Sequence, residues 1–412
     1  MEHLKPTPMT KKFFTPGMII ISLIALIGLV VLGIRFIWGI GAISNIDNQY
    51  PWGVFKGILV AAGVALAAGG FTTAAVGHII HQDKFHSISR PAILLAVIGY
   101  TFAGTSVMID LGRPLYIWHP IIMWNGSSVL FEVGICVMIY LTVLCIEFFP
   151  VVTERFIGRV NLPGIFSKLN GFTDKALRVI DRLLDKTMFI YIIAGVVLSC
   201  LHQSSLGTLM IIAGPKMHPL WQTPILPLLF LLSAVSVGLP MVILISVICS
   251  KVFKIKPDMK ALSELGSFIG PLLGIYLAFR LGDMMLRQTF VYLNEINIIS
   301  VLFVIEILVG IIIPLRMFIS RKILKSPVGL AIASSFVILG AFLYRMNNFI
   351  VAYNPPYSYK TYFPALGEFA VTFGFIALQI FLFRLAVTIF PVISVPTTQT
   401  PKTKYLIKGA GK

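Results

Sequence analysis

Ten long apolar stretches dominate this chain of 412 residues and restrict the folds open to it. A bilayer core about 30 Å thick is crossed by roughly 20 consecutive apolar residues in a helix. The chain is 57% hydrophobic and 12% charged, whereas a soluble domain carries about 25% charged residues. We therefore predict an all-α integral membrane protein with about ten transmembrane helices. The ten windows are 17–41, 54–81, 88–110, 128–149, 188–213, 222–249, 262–286, 297–317, 328–349 and 364–390.

The distribution of positive charge predicts how these helices are oriented. Lysine and arginine side chains cluster before the first window and after the second, fourth, sixth, eighth and tenth windows. The other connections hold few cations, chiefly Arg113, Lys216 and Lys360. Because cytoplasmic loops are enriched in Lys and Arg, we predict an even number of helices and both termini in the cytoplasm. The net charge of +17 thus indicates an orientation signal, and it does not indicate binding to nucleic acid.

Three short motifs occur in the same order in the two halves of the chain and predict an internal duplication. A repeat of four helices keeps its orientation in the membrane, so the two copies are parallel. We predict two parallel four-helix bundles, formed by helices 2–5 and 6–9 and flanked by helices 1 and 10. The matching motifs are Tyr50–Trp52 with His218–Trp221, Asp110–Arg113 with Arg280–Asp283, and Ser128–Glu132 with Ser300–Glu306.

The connections and the chain ends complete the predicted organisation. Within the polar connection 151–187, apolar residues recur at helical spacing between charges, which is typical of an amphipathic helix on the cytoplasmic face or of a solvated connector helix. The tail after Pro391 is polar and basic, and we expect it to be loosely ordered. The predicted segments are a cytoplasmic N-terminal segment 1–16, a first flanking helix 17–41, a first bundle 50–213 that includes the connection 151–187, a second bundle 218–350, a last flanking helix 364–390 and a cytoplasmic tail 391–412.

Ionisable side chains inside the predicted helices are candidates for function, since each costs roughly 2.5–3.5 kcal/mol at a helix centre. Asp110 with Arg113, and Arg280 with Asp283, are three residues apart and are predicted to pair on one helix face. Such pairs fit structural ion pairs as well as functional groups. Nearly all of these side chains lie in the predicted outer half of the membrane: Asp110, Arg113, Glu132, His202, Arg280, Asp283, Glu306, Arg345 and Glu368.

The histidines and cysteines bear on possible redox cofactors. His202 is the one histidine expected deep in a helix, whereas a b-type cytochrome needs histidine pairs that face each other at depth. Cys136, Cys145, Cys200 and Cys249 lie inside predicted helices without a CxxC spacing. We therefore predict that this chain carries no haem, no iron–sulfur cluster and no other metal site.

Several longer stretches resemble one family of membrane subunits. They read NQYPWGVFKG, ALAAGGF, RPAILLAVIGY, DLGRP, SVLFEVGICVMIYLTVLCIEFFP, LHQSSLG and HPLWQTPILPLLFLLS. As a set they resemble the NrfD/polysulfide-reductase family. Within it they are nearest to the membrane subunits of periplasmic uptake hydrogenase and of the menaquinone reductase complex of sulfate reducers. The likeness is dense over 42–250 and weaker from there to about residue 390.

The resemblance implies a quinone-reactive subunit of a respiratory oxidoreductase in the bacterial inner membrane, inactive without its partners. Its substrate would be menaquinone or another quinone, bound near the periplasmic face. Its partners would be a periplasmic iron–sulfur subunit and further periplasmic redox subunits, for example molybdopterin-family and multihaem cytochrome c subunits, or a hydrogenase. The redox centres would belong to those partners and not to this chain.

Quinone reduction takes two electrons and two protons, so a site of this kind needs hydrogen-bond donors and a route for protons. An imidazole can donate to a carbonyl and later release its proton, which makes His202 the first candidate. Asp110 is the expected second partner, held charged by Arg113. The full predicted quinone-binding set is His202, Asp110, Arg113, Glu132, Gln203, Ser204, Trp52 and Tyr100. The predicted proton path is His78, Thr72, Thr73, Tyr140, Thr142, Glu147 and Tyr191, with Glu306, Asp283 and Arg280 as a second relay.

Two other functions fit parts of the sequence. A ten-helix transporter of a small anion would use the outer arginines and would show broken helices near the midplane, for which Pro240 and Pro314 are candidates. A purely structural membrane anchor would leave the polar side chains of His202 and Glu132 unexplained. The parallel repeat and the clustering of polar groups on one side favour the quinone-linked subunit.

Overall fold

The computed structural model describes residues 4–9, 11–69 and 86–396 of the chain. Within these residues, nine helices are long and apolar enough to cross a membrane, so the predicted all-α, multi-pass membrane fold is confirmed. Together with a shorter apolar helix, α2, they are α1 (Pro16–Trp38), α2 (Lys56–Ala67), α3 (His86–Asp110), α4 (Val129–Phe156), α5 (Asn170–Ala213), α6 (Leu226–Phe253), α7 (Met259–Leu286), α8 (Ile298–Phe318), α9 (Pro327–Val351) and α10 (Leu366–Ile389).

Helix α2 occupies the place of the second predicted window and is described only in part. The sequence predicts this helix over 54–81, whereas the structure gives it from Lys56 to Ala67, and residues 70–85 lie outside the described part of the chain. The proton-path residues Thr72, Thr73 and His78 fall in that range. Their placement stays a prediction.

Polar residues fix where several helices begin. The side chains of Ser128, Asp258, Asn297 and Ser326 each accept a hydrogen bond from a backbone N–H in the first turn of the following helix. Hydrocarbon offers no partner to these N–H groups, so each cap removes the cost of a bare helix end near the membrane.

The first and last described segments of the chain pair with each other. Strand β1 (Leu4–Thr7) runs antiparallel to strand β2 (Ile393–Pro396), so α1 begins and α10 ends on the same side of the membrane; we refer to the opposite side as the outer side. This geometry requires an even number of crossings and supports ten helices. The loose order expected of the tail after Pro391 is therefore wrong for residues 393–396. Ile393 and Val395 are buried in the structure and hold that segment in place.

Helix α5 is longer than one membrane crossing. At about 1.5 Å per residue, its 44 residues extend over roughly 66 Å, about twice the hydrocarbon thickness. The amphipathic segment predicted within 151–187 is helical, but it forms the first turns of α5 and is not a separate helix lying on the membrane. Neither Gly nor Pro interrupts the chain between Gly171 and Gly195, so one helix continues from the polar segment into the membrane. Thr153 donates to Asp181 Oδ1 at 2.5 Å and holds this extension against the end of α4.

Helices pack closely where glycines face each other. Helix α1 packs along α10, α4 packs along α5, and α6 contacts α5, α7 and α9. A Cβ atom on Gly310 of α8 would lie 2.4 Å from the Cα atom of Gly340 in α9, and one on Gly28 of α1 would lie 2.5 Å from the Cα atom of Gly374 in α10. Small residues permit such approaches between membrane helices. The division into two four-helix bundles stays a prediction, because α2 contacts α6 and α9 as well as α3.

We expect the substitution Gly28→Ala to push α1 away from α10 and to destabilise the protein by about 1–3 kcal/mol, the usual cost of overpacking. Gly33→Ala is the matched control on the same helix, because a Cβ atom at Gly33 meets nothing within 4 Å and Ala has the higher helix propensity. The measurement is the thermal unfolding midpoint of each variant in detergent. Equal midpoints would contradict the close approach of Gly28 and Gly374.

Candidate functional site

Helix α5 places the imidazole of His202 in the protein interior. The side chain is fully buried, and neither ring nitrogen has a hydrogen-bond partner among the described residues. The ring centroid of Tyr100 in α3 lies 5.7 Å from that of His202, and the ring centroid of Tyr140 in α4 lies 4.4 Å from that of Tyr100. We call His202, Gln203, Tyr100 and Tyr140 the His202 cluster. An imidazole without protein partners retains one donor and one acceptor for a ligand or a transferred proton.

Gln203 and Arg345 connect this cluster to the second half of the chain. The Gln203 amide donates to the carbonyl of Val64 in α2 at 3.2 Å. Arg345 of α9 is fully buried, and its Nη2 donates to Gln203 Oε1 at 3.4 Å, to the Phe230 carbonyl at 2.8 Å and to Ser233 Oγ at 3.1 Å. The sequence predicts Arg345 as an ionisable residue within a helix, but its contact with Gln203 depends on helix packing that the sequence does not show.

Asp110 lies at the outer end of α3 and pairs with Lys56 of α2. The predicted pairing with Arg113 is wrong, because α3 ends at Asp110 and residues 111–113 leave the helix. The spacing of three therefore does not place the two side chains on one helix face, and Arg113 is exposed. The ammonium group of Lys56 lies 4.9 Å from the ring centroid of Trp52, so two predicted residues, Asp110 and Trp52, do meet near one cation.

Glu368 holds the segment before α2 in position. It is fully buried in the first turn of α10 and accepts hydrogen bonds from the backbone N–H of Asn45 at 3.0 Å and of Val54 at 3.2 Å. The hydroxyl of Tyr362 also donates to this carboxylate. These contacts fix the chain on either side of Trp52 and so define where its ring lies.

The outer loop that leads to Trp52 is stabilised by Asp47. Its Oδ1 accepts hydrogen bonds from the backbone N–H of Tyr50 at 2.7 Å and of Gln49 at 2.9 Å, and its Oδ2 lies 2.9 Å from Lys360 Nζ. The Tyr50 N–H and then the Lys360 ammonium lower the pKa of the Asp47 carboxyl. A lowered pKa in the folded state means that this contribution to stability is present at neutral pH and is lost as the pH falls through that value.

A second buried charge cluster lies between α7, α8 and α9. Arg280 Nη2 lies 3.4 Å from Glu306 Oε1, and both side chains are 2% exposed. The other carboxylate oxygen accepts hydrogen bonds from Trp221 Nε1 at 2.8 Å and from Asn347 Nδ2 at 2.7 Å. We call Arg280, Glu306, Trp221 and Asn347 the Glu306 cluster.

The predicted pairing of Arg280 with Asp283 is wrong. Asp283 pairs with Arg287, one turn further along α7, at 2.8 Å, and accepts a hydrogen bond from Thr223 Oγ1 at 2.8 Å. Arg280 instead reaches across to α8, where Glu306 is buried and needs a cation. The proposed second relay thus keeps Arg280 and Glu306 in direct contact, while Asp283 belongs to a neighbouring pair.

Three π-helical segments accompany these clusters. They span Lys56–Ala62 in α2, Leu308–Ile312 in α8 and Asn347–Val351 in α9. The first begins at Lys56, the second begins two residues after Glu306, and the third begins at Asn347. Short π-helical turns inside α-helices occur frequently at functional sites. The apolar stretches of the sequence locate whole helices and do not predict these π-helical segments within them.

Two residues of the predicted quinone-binding set, Glu132 and Ser204, lie outside the His202 cluster. Glu132 is exposed in the first turn of α4 and accepts a hydrogen bond from Ser205 Oγ at 2.5 Å. The hydroxyl of Ser204 donates to the carbonyl of Leu201 in its own helix. The buried hydroxyl is that of Ser205, which the sequence analysis did not select.

Only some residues of the predicted proton path are buried close to one another in the structure. Glu147 is buried on the same face of α4 as Tyr140, two turns further from the outer side, and a Cβ atom on Gly195 of α5 would lie 2.6 Å from Glu147 Oε1. Thr142 is exposed and donates to the carbonyl of Met138 in its own helix. Tyr191 is half-buried.

Comparison with known proteins gives one family and several relatives. The family described as Polysulphide reductase, NrfD matches residues 42–354. A protein of Nitratidesulfovibrio vulgaris is 34% identical over 403 residues, which cover 95% of this chain and 97% of that protein. The probable Ni/Fe-hydrogenase 2 b-type cytochrome subunit of Escherichia coli is 31% identical over 398 residues, 95% of this chain and 96% of that protein. The menaquinone reductase integral membrane subunit of Nitratidesulfovibrio vulgaris is 26% identical over 252 residues, 60% of this chain and 56% of that protein.

We expect Arg280→Gln to destabilise the protein by about 3 kcal/mol, because removing one partner of a buried ion pair leaves the other charge without compensation. The control is Arg178→Gln, which removes the half-exposed partner of Asp174 in the extension of α5 and should cost far less. Thermal unfolding midpoints in detergent compare the two. A larger fall in the control variant would show that Arg280 and Glu306 do not stabilise each other.

Proposed function

The chain belongs to the polysulphide reductase NrfD family, and on that basis we propose that it is the quinone-reactive integral membrane subunit of a respiratory oxidoreductase complex. The names of the relatives support this proposal, since they describe membrane subunits or components of a hydrogenase, a menaquinone reductase and a selenate reductase. Menaquinone is the proposed substrate because one of these relatives is named for it.

The observation that carries the proposal is the buried imidazole of His202 within membrane helix α5, which has no hydrogen-bond partner among the described residues. Isolated polar groups at such depth are costly and usually serve a function. A quinone carbonyl accepts a hydrogen bond, and an imidazole can donate one and then pass on its proton. Tyr100 and Gln203 add a hydroxyl and an amide beside the same ring. We propose that His202 contacts the quinone headgroup, with Tyr100 and Gln203 beside it.

The Lys56–Asp110 pair and Trp52 form the proposed outer boundary of this site. They lie at the outer ends of α2 and α3, on the side opposite the basic loops. By the positive-inside rule the outer side is the proposed periplasmic side. We propose that electrons arrive there from a periplasmic iron–sulfur subunit, which in turn contacts molybdopterin-family and multihaem cytochrome c subunits, or a hydrogenase.

Protons for the quinone are proposed to come from the opposite side, through Glu147 and Tyr140. Glu147 lies deeper than Tyr140 on one face of α4, and Tyr140 contacts Tyr100 beside His202. Electrons from outside and protons from inside would separate charge, which corresponds to about 2.3 kcal/mol per charge per 100 mV. Such a reaction would conserve energy.

The course of the helices does not support the alternative function, a transporter of a small anion. Its expected sign was a break at Pro240 or Pro314, but α6 continues through Pro240 and α8 continues through Pro314. Neither proline therefore creates the discontinuous helix that such transporters use for binding.

We expect His202→Gln to reduce quinone-linked turnover at least about 100-fold, the usual scale for losing an acid–base group, with the protein still present in the membrane. Thr208→Val is the matched control on α5, because the Thr208 hydroxyl donates to the carbonyl of Ser204 in its own helix. The assay follows menaquinol formation by the complex purified from native membranes. Near-normal turnover of His202→Gln would exclude the assignment of His202.

We expect no b-type haem bound by this chain, although the Escherichia coli relative is named a b-type cytochrome subunit. Among the described residues, His202 is the one histidine within a candidate membrane span, because the span in α3 begins at Ile88, after His86. The described residues therefore do not supply the facing pair that such a haem requires. The measurement is a pyridine haemochrome spectrum of the subunit separated from its partners. Stoichiometric haem b in this fraction would overturn the expectation.

A further inference from the structure

A small cavity lies inside the protein beside the Glu306 cluster. Its volume is about 20 Å³, and Glu306 forms part of its wall. Gly310 of α8 and Gly340 of α9, which approach each other closely, also line it. A site needs about 10–15 Å³ to hold one water molecule, together with two to four polar partners.

The polar atoms around this cavity are incompletely satisfied. Ser236 Oγ and the hydroxyl of Tyr344 both line it, are buried, and have no hydrogen-bond partner among the described residues. Ser233 also lines it and accepts a hydrogen bond from Arg345 Nη2. A buried hydroxyl without a partner destabilises the folded state, because it has given up its hydrogen bonds to water. The cavity therefore combines sufficient room with polar groups that need a partner.

We propose that this cavity binds water, and that the water completes a polar connection from Glu306 through Ser233 and Arg345 to Gln203. On the Glu306 side the water meets the carboxylate, Ser236 and Tyr344. On the other side it meets Ser233, which is already bonded to Arg345, and Arg345 donates to Gln203. The Glu306 cluster and the His202 cluster then belong to one hydrogen-bonded system that crosses between the two halves of the chain.

The water site does not depend on the proposed quinone chemistry. The functional role of the connection does rest on the proposed function. If His202 contacts a quinone, the connection is the physical route by which Glu306 can respond to charge at the quinone site. Stability and labelling test the water site without any quinone turnover, so its failure is distinguishable from failure of the proposed function.

The first test compares two serine substitutions. Ser236 and Ser334 are both buried in membrane helices, and neither Oγ has a hydrogen-bond partner in the described part of the chain. Ser236 lines the cavity, whereas Ser334 does not. If water bonds to Ser236, Ser236→Ala removes a satisfied hydroxyl and lowers the unfolding midpoint. Ser334→Ala removes an unsatisfied hydroxyl and leaves the midpoint unchanged or raises it. A midpoint for Ser236→Ala that is unchanged or raised would overturn the proposal.

The second test detects the water directly in the unmodified protein. X-ray radiolysis of bound water produces hydroxyl radicals that label adjacent aromatic side chains, even when these are buried. We expect labelling of Tyr344 and Tyr276, which line the cavity, and little labelling of Phe375, which is equally buried in another part of the core. Mass spectrometry of peptides reads out the result. Labelling of Tyr344 and Tyr276 no greater than that of Phe375 would show a dry cavity.

Discussion

The burial of Arg345 is the interaction on which the arrangement of the membrane core depends. A cation in hydrocarbon is stable only when polar groups surround it, and among the described residues Arg345 has no carboxylate within ion-pair distance. It instead uses the Phe230 carbonyl, Ser233, the Gln203 amide and the ring of Phe230, whose centroid lies 3.7 Å from the guanidinium carbon. These groups come from α5 and α6, so α9 can satisfy its charge only by packing against both helices.

The same placement fixes the residues next to Arg345 along the chain. Tyr344 is turned toward the cavity beside Glu306, and Asn347 reaches the Glu306 carboxylate from the start of a π-helical segment. Arg280 then neutralises a carboxylate that neutral donors alone would not stabilise. The His202 cluster contains an imidazole and two tyrosines, and the Glu306 cluster contains a carboxylate and an arginine. The guanidinium group of Arg345 contacts Gln203 of the first cluster, and its neighbour along the chain, Tyr344, lines the cavity beside the second. Helix α9 therefore contacts both clusters, through Arg345 to Gln203 beside His202 and through Asn347 to Glu306.

Sequence reasoning succeeded where a property belongs to one helix and failed where it belongs to a contact between helices. Apolar length located the helices because the bilayer imposes it on each helix separately. Among the adjacent polar residues 202–205, the structure buries His202, Gln203 and Ser205, and Tyr100 lies beside His202. Their role as a quinone site stays a prediction. The predicted pairings of Asp110 with Arg113 and of Arg280 with Asp283 are wrong because local spacing does not reveal partners on other helices. The observed partners are Lys56 and Glu306. The repeated Ser-Val-Leu-Phe motif also proved unequal: Ser128 caps α4, whereas Ser300 occupies the third position of α8 behind its cap Asn297.

The pairing of β1 with β2 determines the order in which the molecule can be completed. Synthesis delivers β1 and α1 first, but their partners, β2 and α10, follow only after every other helix has been made. Until then α1 lacks α10, and its apolar side chains tolerate lipid because hydrocarbon is their preferred solvent. Its buried Arg35 can already donate to the carbonyl of Ile109 in α3. The glycine contact between α1 and α10 and the two-stranded ribbon at the chain ends therefore form last. The first helix to be inserted therefore gains its main packing partner, α10, only when the last described helix has been made.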